Sequence, residues 1–160
     1  MGAYALDLIP FIVLSLVIVG SSGYFDAVSR AVASGDEQLT EAMEILAPGS
    51  QTAVTLTVVT LFAQLLYNVG LHATTGQTIG KRLVGIRLVR ADEPTRSPGL
   101  PAASLRWLIQ LGAPQALQGV PVVGFLVGLF GLADHLWPLW DQRNQALHDK
   151  AARTLVVRVR

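Results

Sequence analysis

Asp134, Asp141 and His148 recur at intervals of seven, with His135 and Asp149 beside them. On one unbroken helix they would share a face. Imidazoles and carboxylates on a common face suit a divalent metal or a proton relay. Pro138 lies between the first two and would kink such a helix. Structural capping and pairing at a membrane boundary is therefore the preferred reading, and no metal is expected. Residues 76–82, GQTIGKR, have the look of a phosphate-binding loop. The glycines are one residue too close, however, and Arg82 stands where such a loop needs a magnesium-binding Ser or Thr. The expected alternative is a turn that presents Lys81 and Arg82 to anionic lipid headgroups. No nucleophile is paired with a base, and no HExxH sequence is present, so neither an enzyme nor a cofactor is expected. Cysteine is absent, which excludes disulfides and thiolate chemistry.

The elements that position these groups are set by composition. Hydrophobic residues make up 51% of the 160, and charged residues 14%. This places the chain outside the ordinary soluble range, as a small all-α integral membrane protein. Of 12 basic residues, Arg30 alone lies outside residues 81–106 and 143–160. Asp26, Asp36, Glu37, Glu41 and Glu44 all fall between the first two apolar runs. The positive-inside rule then makes the basic segments and both termini cytoplasmic, at the cell membrane, and the acidic loop external. The basic residues lie beside membrane segments with no fold signature to arrange them, so nucleic-acid binding is not expected.

The first helix is read over residues 4–25, the acidic outer loop over 26–50 and the second helix over 51–72. A signal peptide is the rival for the first run, but no Lys or Arg precedes it and Asp7 is out of place there. In the outer loop Ser34 and Glu37 have capping-box spacing. Leu39, Ala42, Met43 and Leu46 then repeat as an amphipathic surface helix. A cytoplasmic basic loop spans 73–104. Its residues 84–90 alternate like a strand, as do residues 154–160, and the two are expected to pair. Residues 105–140 form a helical hairpin turning near residues 118–121, followed by a cytoplasmic tail over 141–160. The count is four membrane crossings, with three plus an interfacial helix as the alternative. Gly124 and Gly128 form a GxxxG pair suited to helix packing, within this chain or with other subunits or a second copy.

A carboxylate within an apolar run is costly unless it faces protein or water, so Asp7 needs a partner. Gln64, Asn68 and His72 lie on one stripe of the second helix and at the depth of Asp7. Arg106 and Asp134 reach that depth from the hairpin. These six residues are expected to form one polar layer.

The stretch GQTIGKRLVGIRLVRAD, Leu105-Arg106, NQALHDKAARTLVV near the end and AYALD at the start together resemble the RDD family of small integral membrane proteins. On that resemblance Asp7, Gly76, Gln77, Thr78, Gly80, Lys81, Arg82, Gly85, Arg106, His148, Asp149 and Thr154 are the family-motif positions. Asp7 and Asp149 stand for the two aspartates of the family name. The pattern would put its arginine just before Met1, so the expectation is an upstream start or a substitute cation, for which Arg106 is the candidate. The resemblance implies a transport-related protein or an accessory subunit of a membrane complex, and the acidic residues, clustered at the cytoplasmic boundary with none at the bilayer midplane, favour a non-catalytic accessory or scaffold subunit. Its alternative is a small oligomeric ion or proton transporter using Asp7 and the Asp134 region.

Overall fold

The structure is a computed structural model describing residues 2–34 and 37–159, without the side chains of Ser34, Glu37, Gln38 and Pro121. The Ser34–Glu37 capping pair therefore lies outside what is described. Helix α1 (Gly2–Ser21) is followed by α2 (Tyr24–Ser34), α3 (Glu37–Ile45), α4 (Gln51–Thr74) and the short α5 (Ile79–Leu83). Strand β1 (Ile86–Arg90) comes next. Helix α6 (Gly99–Trp107) runs through a π-helical turn (Leu108–Gly112) into α7 (Ala113–Leu117). Helix α8 (Pro121–Leu136) ends in a 3-10 turn (Trp137–Leu139), and α9 (Leu147–Ala151) and β2 (Thr154–Arg158) complete the chain. The described residues are mostly helical, at 71%. Among the described residues three stretches are long and apolar enough to cross a membrane: Gly2–Ser21, Gln51–Thr74 and Val122–Leu139. At about 1.5 Å per residue, α1 is roughly 30 Å long, matching a hydrocarbon core.

The chain divides into two compact units. In the unit Leu8–Ala63 the first helix stops at Ser21, short of the expected residue 25. Gly23, at φ +81°, turns the chain and hands Tyr24 and Phe25 to α2, a second helix within the expected outer loop. Helix α2 packs against α3, with Ala27 and Ala31 of one and Ala42 of the other buried. The exposed Arg30–Glu41 pair at 3.0 Å adds little.

The unit Met1–Asp7 with Gln64–Arg160 holds the sheet and the hairpin. Strands β1 and β2 pair antiparallel, Leu88 opposite Val156, as their alternation predicts. The Val159 N–H donates to Gly85 O (2.8 Å) and the Ala91 N–H to Arg153 O (2.9 Å), so odd-numbered residues form the hydrogen-bonded pairs. Even-numbered residues turn their backbone groups outward. On β1 three of these are capped: the Leu88 N–H donates to Gly76 O (2.7 Å), the Arg90 N–H donates to Arg96 O (3.1 Å), and Ile86 O accepts from Gln77 Nε2 (2.9 Å). On β2, Thr154 O accepts from Gln145 Nε2 (2.8 Å).

The hairpin forms with a difference. Pro114 does not end the helix at its N-terminal side; the π turn widens the coil just before the proline ring would crowd the preceding carbonyl. A Cβ on Gly124 would stand 2.5 Å from Gln118 O, so this glycine lets α8 close against the hairpin turn. Gly128 and Gly131 have nothing within 4 Å of that position. The GxxxG pair thus splits into one glycine used within the chain and one left open.

Candidate functional site: a buried polar cluster

Asp7 is held by fixed donors. Its Oδ1 accepts from the Tyr67 hydroxyl (2.7 Å) and the Gly80 N–H (2.8 Å), and its Oδ2 from the Thr78 hydroxyl (2.5 Å). Three donors on one carboxylate replace the water it has lost. The GQTIGKR turn delivers two of them, Thr78 and Gly80, and α4 delivers Tyr67. Thr78, fully buried, caps α5 and accepts from the Lys81 N–H (3.4 Å). Gly80 approaches α1 so closely that a Cβ would lie 2.2 Å from Ala3 O. Gly85, at φ +67°, ends α5 and starts β1, and Gly76, at φ +70°, could not carry a Cβ beside Leu88 O at 2.2 Å. The motif is therefore a carboxylate clamp joined to a strand, with no open phosphate cradle.

Arg106 does not pair with Asp7. Its Nε donates to Asp149 Oδ1 (2.8 Å), Nη1 to Gln110 Oε1 (3.0 Å) and Nη2 to His148 Nε2 (2.9 Å). The three partners occupy the fork that only a guanidinium offers. His148 turns its Nδ1 to Asp134 Oδ2 (2.6 Å), and its backbone N–H donates to Asp134 Oδ1 (2.9 Å). These partners assign a neutral imidazole protonated at Nδ1. Burial, then the Arg106 guanidinium, hold the His148 pKa below its usual value, against the pull of Asp149 and Asp134. Burial alone would raise the Asp149 carboxyl, but the charge of Arg106 and the hydrogen bonds from Arg106 and Thr154 hold it below the ordinary carboxylate value. Thr154 Oγ1 (3.1 Å) and the Ala146 N–H (3.4 Å) also donate to Asp149.

Lys81 lies between these groups, its Nζ 2.6 Å from His72 Nε2. It turns inward where a headgroup contact was expected, and Arg82 is the member of the pair that is exposed. Burial and then Arg106 push the Lys81 pKa down to about 7, against Asp7 and Asp149. Unfolding restores the ordinary affinity for protons, so between about pH 7 and 10.5 the unfolded chain binds more of them. Stability should rise with pH across that window, and Lys81→Met should flatten the rise. Thermal unfolding at stepped pH checks this; an unchanged slope in the variant would exclude Lys81 as the cause.

The six expected layer residues are distributed as follows. Gln64 Oε1 accepts from Gln115 Nε2 (2.9 Å), whereas Asn68 Nδ2 returns to its own helix at Gln64 O (3.0 Å). His72 meets Lys81, and Asp134 meets His148. The spacing by sevens is not what joins Asp134 to His148: the chain leaves helix after Leu139 and folds back. Asp141 pairs with Lys150 and caps the Arg143 and Gln145 N–H groups instead. Among the described residues no group of His, Asp and Glu is arranged to hold a metal. Sequence reasoning missed Tyr67 and Thr78 as the Asp7 donors; a threonine at the N-cap of a short helix with a glycine two residues on, Thr78 and Gly80, was the available signal for the second.

No curated protein and no solved structure matches the chain. The family model described as RDD family matches residues 1–153. The clamp on Asp7, the buried pair of Arg106 and Asp149 and three membrane-length apolar helices thus sit in a membrane protein that belongs to the RDD family.

Proposed function

We propose that the protein is a non-catalytic accessory or scaffold subunit of a membrane complex, seated in the cell membrane with both termini and the basic segments cytoplasmic. The observation that carries this reading is the saturation of the cluster. Asp7, Arg106, Asp134 and Asp149 are all buried and all fully engaged by neighbours, as a structural staple requires. Ionisable residues of the three apolar stretches lie at Asp7, His72, Asp134 and His135, near helix ends, and none lies mid-span where coupled transport binds its ion. Gly128 and Gly131 leave a bare face on α8 for a neighbouring helix. The shared cluster also supports a common side for the start of α1, the end of α4 and both hairpin arms, hence an even number of crossings. Arg82 is the residue best placed for anionic headgroups.

A second reading, a small oligomeric ion or proton transporter, is favoured by Lys81, which titrates near neutrality beside His72. Proteoliposomes separate the two. No proton or cation flux from purified protein, with stable subunits retained on purification from native membranes, is expected. Flux that Asp7→Asn abolishes would replace the accessory reading with transport.

A further inference from the structure

The two edges of the sheet are treated differently. On β1 the outward Ile86 C=O, Leu88 N–H and Arg90 N–H are capped, but no hydrogen bond among the described residues reaches the outward N–H or C=O of Val156, or the next outward groups at Arg158. Val156 is 43% exposed and Val159 49%. An open row of donors and acceptors is a template for another strand. At the same end a cavity of about 450 Å³, lined by Ala3, Val84, Gly85, Arg158 and Val159, has room for a side chain.

We propose that β2 binds an extended acidic segment of a partner protein as a third strand. This rests on the accessory-subunit reading and names the partner's chemistry. The argument for acidity is charge: Arg153 and Arg158 are exposed, and among the described residues no carboxylate pairs with either. An Asp or Glu side chain on the face of Val156 and Arg158 meets the Arg158 guanidinium, while the alternate β-branched residues lie on the other face, beside Leu155 and Val157. A lipid phosphate matches the arginines but offers nothing to the backbone row. A second copy's β2 matches the backbone but brings its own Arg153 and Arg158 to the same edge, which opposes pairing.

The test titrates full-length protein in zwitterionic nanodiscs with a short labelled peptide alternating Glu and Val. Saturable binding is expected. Methylating alternate peptide nitrogens should weaken it about tenfold, by removing backbone hydrogen bonds. Arg158→Glu should weaken it about fivefold and transfer preference to a Lys and Val peptide. The N-methyl arm uses unmodified protein, so it does not depend on a variant folding. Absence of saturable binding, or binding that ignores N-methylation, overturns the proposal. So does efficient disulfide cross-linking between copies through Val156→Cys, which would assign the edge to self-association. Ion flux in proteoliposomes would end the accessory reading without altering the titration, so the two failures are distinguishable.

Discussion

Arg106→Ala is expected to destabilise the protein by about 3–5 kcal/mol, because a buried guanidinium leaves behind a buried carboxylate with no counter-ion. Arg106 and Asp149 side chains are each 8% exposed and 2.8 Å apart, so water cannot take over. The same substitution removes the donor to His148 Nε2 and so loosens the hold of His148 on Asp134. Lysine is no rescue, since one ammonium cannot serve Asp149, Gln110 and His148 in the plane they define. Thermal unfolding in detergent measures the loss, expected to lower Tm by about 10 °C or more. Asp149→Ala should cost a similar amount, and the double variant much less than the sum. A loss below about 1 kcal/mol in Arg106→Ala, or additive effects, would show that the pair is not the staple described.

Gly80→Ala carries the second large effect, about 3 kcal/mol, from backbone collision and a lost charged hydrogen bond together. The new Cβ would stand 2.2 Å from Ala3 O and 2.9 Å from Asp7 Cγ. Neither neighbour can yield: one is backbone, and the other is held by Tyr67 and Thr78. Gly70→Ala is the matched control, in α4 with nothing within 4 Å, and should be neutral or stabilising by up to about 1 kcal/mol. Equal behaviour of the two variants in thermal unfolding would mean that the turn does not press on α1.

Much of this arrangement is legible in the residues alone. Alternation in residues 84–90 and 154–160 was enough to pair the strands, which run over Ile86–Arg90 and Thr154–Arg158, because a period of two over so short a run is what a strand with one covered face produces. Long apolar runs located the membrane helices, and the need of a carboxylate for partners singled out Asp7. Its partners were another matter. Charge arguments look for a cation, and Arg106 sat at the right depth, yet the carboxylate took two hydroxyls and an amide. Such donors leave no trace in charge patterning. The end of α1 at Ser21 was hidden because apolar Tyr24 and Phe25 prolong the hydrophobic run, while the break comes from the backbone of Gly23. Likewise, Asp134 and His148 were grouped by a periodicity that the loop between them does not have.

The π turn at Leu108–Gly112 has a consequence for how the hairpin arm is phased. A π turn holds one residue more than the α-helical turn it replaces, and one residue is worth about 100° of rotation. Everything from Ala113 to Leu117 is therefore swivelled, relative to Arg106, by a single surplus residue. That swivel is what aims the Gln115 amide at Gln64 while Arg106, two turns earlier, keeps its hold on Asp149. The arm serves two neighbours that an evenly wound cylinder would present in different directions, so its length in residues is as constrained as their identities.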